Sequence, residues 1–445
     1  TVKRIFKIVE EFIKSKKLVC YGGTAINNIL PAHDQFYNKD ISVPDYDFFS
    51  PQALEHAKEL ANIYYKEGYT EVESKAGMHP GTYKVYVNYM PIADITYLDN
   101  KIFASIIKDS IVVNEIHYAP PNYLRMSMYL ELSRPDGDVS RWEKVLKRLI
   151  LLNKHYPMKH ARCNALNFMR SFESGTKKEN NQIYDIVKNS LINQGLVFFG
   201  GYAATLYGRY MPSDERKALD KYADFDVLSE DAETSAIILK ERLLDAGLEK
   251  INIYKHPNVG EIISSHYEVS VNKESVAFIY EPLACHSYNT ISISDQEIKI
   301  ATIDTMLSFF LAFLYANRPY YDHDRILCMA QYLFSVQAKN RLEQKGLLKR
   351  FTIECYGKQN TIENMRATKS KKYKELNKKK SSKEYEKWFL RYIPEEHKKN
   401  KTLNKKKNKT LNKKKNKKNI NKKNKQKNKQ KNKTKKNKQK NKTKN

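Results

Sequence analysis

Nowhere in its 445 residues does the chain carry an apolar run approaching the roughly 18 residues that mark a membrane-spanning helix, so no membrane partner is expected. It is also poor in cysteine. Cys20, Cys163, Cys285, Cys328 and Cys355 are widely scattered, with no CxxC pair. That spacing suits neither a zinc module nor a disulfide framework, and it leads one to expect a reducing, intracellular home. No signal peptide is evident: Val2 to Ser15 has the period of an amphipathic helix, and a start at Thr1 rather than Met suggests a trimmed chain. Acidic residues are missing altogether from Lys398 to Asn445, a stretch holding 25 lysines among Asn and Gln. Such a segment cannot bury a core and is expected to be a disordered basic tail. Without its lysines the net charge of +30 falls to about +5, so the folded body is only mildly basic.

What is present repeats itself. Leu18 to Pro31 has an apolar strand-like run, Gly22-Gly23, then a short helix-like run ending at proline, and Leu196 to Pro212 has the same plan around Gly200-Gly201. An offset of 178 residues places Gly22 on Gly200, and the agreement continues downstream with a slow drift. Asp45 faces Asp224 and Asp47 faces Asp226; the segment from Val87 faces that from Val271; Arg134-Pro135 faces Arg318-Pro319. An ordered series of matches of this kind is what a diverged duplication produces. The period-2 alternation predicts strands at Lys84 to Asn88 and Ile92 to Tyr97, with a turn at Met90-Pro91. Arg141 to His155 reads as a helix, Ile303 to Ala316 as its counterpart, and Asp324 to Gln337 as a helix following it. The fold class is α+β: two tandem units, each a mixed sheet with helices and a helical appendage. The expected divisions are 1–165, 166–340, a basic extension over 341–397 and the tail over 398–445.

Chemistry concentrates in the first unit. Consecutive glycines between a strand and a helix let the backbone approach a ligand closely, and the free N–H groups of the helix favour an anion. Gly22, Gly23 and Thr24 therefore form a candidate triphosphate cradle, with the Thr24 hydroxyl as an extra donor. Asp45 and Asp47, two apart on a short strand, share a face. Two carboxylates held so close suit a divalent cation. Asp94 adds a third acid on a neighbouring strand. Three carboxylates beside a phosphate cradle make a two-metal phosphoryl-transfer site.

These residues resemble the signature of the DNA polymerase β-type nucleotidyltransferases. Within that superfamily the sequence is similar to the poly(A) polymerase catalytic subunits of large cytoplasmic DNA viruses of the poxvirus and giant-virus types, over most of residues 15 to 340. The resemblance implies that Asp45, Asp47 and Asp94 hold two Mg²⁺ or Mn²⁺ ions and that Gly22, Gly23 and Thr24 grip the phosphates of ATP. It implies addition of AMP to the 3′ end of mRNA without a template, in the host cytoplasm at the viral factory, with packaging in the virion as an extension of that setting. A processivity subunit or a homodimer is the corresponding partner. The alternatives are a nucleotidyltransferase with another acceptor (a tRNA end, an oligonucleotide or a protein) and a non-catalytic RNA-binding scaffold.

The second unit keeps Gly200, Gly201, Asp224 and Asp226, but Tyr202 stands for Thr24 and Phe278 for Asp94. Phenylalanine ligates no metal, so this unit reads as an inactive copy, Glu281 being the acid that could substitute in another register. His155 with His160 reads weakly as a metal pair, and Tyr320 to Arg325 reads as an acidic helix start. Arg125 and Arg141 are candidate phosphate contacts. The lysine tail suits sequence-blind binding to RNA.

Overall fold

Ile5, Phe6, Ile8, Val9, Phe12 and Ile13 recur at helical spacing, and all six are buried where α1 (Val2–Lys16) packs on the first sheet. The computed structural model describes residues 2–37, 45–158, 162–164 and 166–396 and, in the tail, 411, 414–415, 418–427 and 429. After α1 come β1 (Val19–Cys20), α2 (Gly22–Ile29), β2 (Tyr46–Ser50), α3 (Ala53–Lys66), β3 (Val72–Ala76), β4 (Thr82–Val87) and β5 (Met90–Tyr97). The first unit closes with α4 (Asn100–Lys108), β6 (Ile111–Val113), β7 (Ile116–Tyr118), α5 (Pro121–Leu132) and α6 (Trp142–His155).

The second unit repeats the plan. It runs α7 (Lys177–Asn193), β8 (Val197–Phe199), α8 (Gly201–Leu206), β9 (Phe225–Leu228) and α9 (Ala232–Asp245). Then follow β10 (Ile251–His256), β11 (His266–Val271), β12 (Glu274–Tyr280), β13 (His286–Ile293), β14 (Gln296–Ala301), α10 (Ile303–Phe313) and α11 (His323–Lys339). The extension supplies β15 (Cys355–Tyr356), α12 (Ile362–Leu376), α13 (Lys383–Phe389) and β16 (Arg391–Tyr392).

Both sheets have one architecture. The first is ordered β16-β3-β4-β5-β2-β1-β7-β6 and the second β10-β11-β12-β9-β8-β14-β13-β15. Remove β16 and β15, and the remaining seven strands correspond one to one, including the parallel pairs β2–β5 and β9–β12. Matching hairpins turn on two residues that both have positive φ: Asn88-Tyr89 and Asn272-Lys273, then Asn114-Glu115 and Ser294-Asp295. Such turns carry a twist that suits the flanking strands, and Asn tolerates the left-handed region.

Three expectations need correction. The β4–β5 turn is at Asn88-Tyr89, not Met90-Pro91, because Met90 already pairs with Val87. The counterpart of Ile303 to Ala316 is α5, not α6: α5 and α10 each follow the last of the seven shared strands and precede an Arg-Pro pair, so α11 matches α6. These two helices pack together between the units, where the Ser287 N–H donates to the Ser133 carbonyl at 2.8 Å and the Tyr123 and Tyr315 rings lie 5.4 Å apart. The cysteines do pair, Cys163 with Cys328 and Cys285 with Cys355, leaving Cys20 free and buried. Sequence separations of 165 and 70 residues hid pairings that only the tertiary fold creates, and the argument for a reducing home loses its support. In the basic tail, residues 418–427 are helical with every side chain exposed and bury no core. Most of the remaining tail lies outside the described residues. Among the described residues no helix is long and apolar enough to cross a membrane.

Candidate active site

The chain leaves β1 and turns at Gly22, whose φ of +73° favours glycine. A Cβ there would lie 3.0 Å from Asp47 Oδ2, so the turn rests directly on an acid of the neighbouring strand. At Gly23 a Cβ would meet the Tyr37 hydroxyl at 2.5 Å and Arg148 Nη1 at 2.8 Å. Arg148, from α6, donates to the Tyr37 hydroxyl at 2.9 Å and lies 4.7 Å from the Phe36 ring centroid. A cation therefore stands at the mouth of the glycine turn. α2 begins with no side-chain cap, which leaves its first N–H groups for a ligand. Thr24 is buried, and its hydroxyl donates to the Asp45 carbonyl at 3.1 Å. It holds the turn to the acid strand instead of presenting the extra donor that the sequence suggests.

The parallel register of β2 and β5 sets Asp47 directly opposite Asp94. Asp45 lies two residues before Asp47, and one carboxylate oxygen from each of the three lies within 4.8 Å of the others. Lys84 on β4 is opposite Asp94, with its ammonium 2.5 Å from Asp94 Oδ2. The second oxygen, Asp94 Oδ1, is buried and has no hydrogen-bond partner among the described residues. Burial pushes the Asp47 carboxyl up to about 7, with Asp45 and Asp94 adding repulsion. Asp45 is also raised, by burial first and then by Asp94. Three mutually repelling carboxylates with one orphaned oxygen fit a divalent cation.

A pH dependence follows. An Asp in the unfolded chain ionises near pH 4, whereas folded Asp47 holds its proton up to about 7. The unfolded state releases the proton first, so the metal-free protein loses stability as pH rises from about 4 to 7. Asp47→Asn is expected to melt several degrees above the parent at pH 8 and level with it at pH 4, in melting curves taken in EDTA.

The second unit has the same frame with different contents. Gly200 has φ +89°, and a Cβ there would collide with Asp226. In β12 the residue opposite Asp226 is Phe278, just as Asp94 is opposite Asp47. The space before the glycines is filled from within: a Cβ on Gly201 would strike the Phe168 carbonyl. From that same segment Arg170 donates through its backbone N–H and Nε to Asp224, both at 2.7 Å. Its Nη2 reaches Asp226 at 3.4 Å, and its guanidinium lies 4.4 Å from the Phe278 ring centroid. Arg325 closes the cluster, donating to the Phe168 carbonyl at 2.9 Å. A guanidinium thus stands beside Asp224 and Asp226, whose first-unit counterparts Asp45 and Asp47 meet Asp94 instead. Glu281 is exposed past the end of β12 and joins no such cluster.

Other candidates resolve plainly. Arg125 is buried between helices, donating to Asn153 and Asn122, and reaches no phosphate position. Arg141 pairs with Glu131 at 2.6 Å. His155 contacts Asp34 at 2.5 Å, with His33 beside it; His160 lies outside the described residues. Asp322 caps α11 by accepting from the Arg325 N–H, so Tyr320 to Arg325 is the helix start it resembles.

Two sheets of one strand order, each with a glycine turn against an Asp pair, make this a tandem duplication of one α+β unit, and among the described residues only the first unit brings a third acid to its Asp pair. The known proteins it resembles are more particular. The model of the family described as "Poly(A) polymerase catalytic subunit" matches residues 7–138. An inferred poly(A) polymerase catalytic subunit of Acanthamoeba polyphaga mimivirus is 27% identical over 223 residues, 48% of this chain and 36% of the relative. Its counterpart from African swine fever virus (isolate Pig/Kenya/KEN-50/1950) is 32% identical over 163 residues, 35% of this chain and 34% of the relative. The matched part spans about a third of the length of these curated relatives. The crystal structure of the Megavirus polyadenylate synthase superposes with a TM-score of 0.75 at 19% identity, covering 88% of this chain and 80% of that one. The fold is therefore that of a viral polyadenylate synthase, and the first unit carries the match to the catalytic-subunit family.

Proposed function

We propose that the protein is a template-independent poly(A) polymerase that joins AMP from ATP to the 3′ ends of viral mRNA in the host cytoplasm, with the first unit as its only active site. The observation that carries this reading is the meeting of Asp45, Asp47 and Asp94 beside the Gly22 turn, with Asp94 Oδ1 left unpartnered. These three residues would hold Mg²⁺ or Mn²⁺, which when bound supplies charge stabilisation at the attacking and leaving oxygens. The chain does the rest. Gly22, Gly23 and the open N-terminus of α2 receive the triphosphate, and Thr24 locks that turn to Asp45. Arg148, held by Tyr37, faces the same turn and is placed to take charge on the departing pyrophosphate. Asp94, farthest along the sheet from the turn, belongs to the side from which the RNA 3′-hydroxyl attacks.

The test is extension of a labelled RNA primer with each nucleotide separately, in Mg²⁺ or Mn²⁺. Asp45→Ala is expected to abolish extension with ATP, and Asp226→Asn to leave its rate within a few-fold of the parent. Failure to extend with any nucleotide would remove the polymerase reading. Incorporation of CTP followed by ATP would point to a tRNA-type acceptor, and equal loss in both variants would contradict a single active unit.

A further inference from the structure

The strand registers of the first sheet line up five side chains across five strands. Asp47 on β2 is opposite Asp94 on β5, Asp94 opposite Lys84 on β4, Lys84 opposite Lys75 on β3, and Lys75 opposite Arg391 on β16. Residues directly opposite in a sheet project from the same face. The other face is taken by α3, where the Ser74 hydroxyl donates to the Ala57 carbonyl and Val85 and Ala93 are buried. The row therefore lies on the open face. Three cations in line end at the acids, and about three strand spacings, some 14–15 Å, separate Asp94 from Arg391.

The members differ in how they are held. Lys84 is half-buried on Asp94. Lys75 is exposed, and its ammonium sits 4.4 Å from the centroid of Tyr86, an aromatic on the same face as Lys84. Arg391 is exposed and touches Glu73 at 3.5 Å. A cationic groove with an aromatic platform is the ordinary equipment for a single-stranded nucleic acid.

The second unit serves as an internal control. Its corresponding row reads Asp226, Phe278, Glu268 and Tyr254, and among the described residues no strand is added outside β10. Where the third acid is lost the cations are lost with it, and Glu268 puts an anion, paired with His256, in the place of Lys84. Arg391 itself comes from the far end of the chain, which crosses from the second unit to seat β16 on the first.

We propose that Lys84, Lys75 and Arg391 form a phosphate track that leads the terminal nucleotides of the RNA from the sheet edge to the three acids, with Tyr86 as a stacking platform. This rests on the polymerase reading for what happens at the end of the track, but binding along it can be measured without catalysis.

Two measurements test it on the full chain. In the first, a short oligo(A) RNA ending in a 3′-deoxynucleotide and carrying 4-thiouridine two to four residues from that end is crosslinked and the adducts mapped. Adducts are expected in β3, β4 and β16; adducts confined to the second unit or the tail would overturn the track. In the second, Lys75→Gln, Arg391→Gln and the pair are compared with Lys66→Gln, an exposed control on α3. The pair is expected to raise the RNA KM about tenfold or more and to flatten the salt dependence of binding by about 1.4, at roughly 0.7 per lost contact to a single strand. KM for ATP and kcat stay at the parent values, and Lys66→Gln changes nothing. Unchanged RNA KM and salt slope in the pair would sink the proposal while leaving the polymerase reading intact. Mapped binding without AMP addition would do the reverse.

Discussion

Asparagine at position 94 will lower AMP incorporation by about a thousandfold or more and will reduce the number of Mn²⁺ ions bound. The residue is nearly isosteric, so the backbone register that faces it to Asp47 survives. With the amide oxygen kept on Lys84, what goes is a charge and the acceptor at the Oδ1 position, which no described residue satisfies. A bound metal contributes several kcal/mol of charge stabilisation in phosphoryl transfer, and each 1.4 kcal/mol is a factor of ten in rate. Single-turnover extension at saturating ATP and RNA measures the rate, and Mn²⁺ titration followed by electron paramagnetic resonance counts the ions. A fall of less than tenfold with unchanged ion number would take Asp94 out of the site.

The second large effect concerns stability. Arg170→Met will lower the unfolding free energy by about 3–5 kcal/mol, the cost of removing one partner from a buried ion cluster. Asp224 is 2% exposed, and the substitution removes the Arg170 Nε and Nη2 contacts to its Oδ1, at 2.7 and 2.6 Å, while keeping the backbone N–H bond to Oδ2. In the variant two neighbouring carboxylates remain in a site whose third wall is Phe278. Thermal melting, with limited proteolysis to locate the loosened segment, measures the loss. Adding Asp224→Asn to Arg170→Met should recover part of the stability, since the stranded charge is then gone. An unchanged melting curve for Arg170→Met would mean that the guanidinium does not hold this site together. Neither variant is expected to give the second unit activity, because Phe278 still faces Asp226.

Much of this could be read from the residues because the reading rested on local backbone geometry. A strand, two glycines and an Asp pair two apart dictate their own conformations, and Gly22 and Gly200 both adopt the left-handed turn that pattern demands. Aligning Phe278 with Asp94 needed only the alanine that precedes each, Ala93 and Ala277. Lys84 was missed for a definite reason. Placing the turn at Met90-Pro91 shifts the pairing of β4 with β5, and a bulge between Val85 and Tyr86 shifts it again, so the lysine opposite Asp94 stayed hidden. Arg148, Tyr37 and Arg170 reach their sites from other elements, where no spacing rule applies. The disulfides and the return of the extension to the first sheet belong to the same class.

That return has a consequence for synthesis. Until Arg391 and Tyr392 have left the ribosome, β3 is the bare edge of the first sheet, with its outer N–H and C=O groups unpaired. Unpaired edges recruit strands from other chains, and domains generally fold in the order they emerge. The unit translated first is therefore the last to be finished. Its edge is closed only after the second unit has been made, so a chain cut short in the extension would display a sticky flank beside an otherwise complete set of acids.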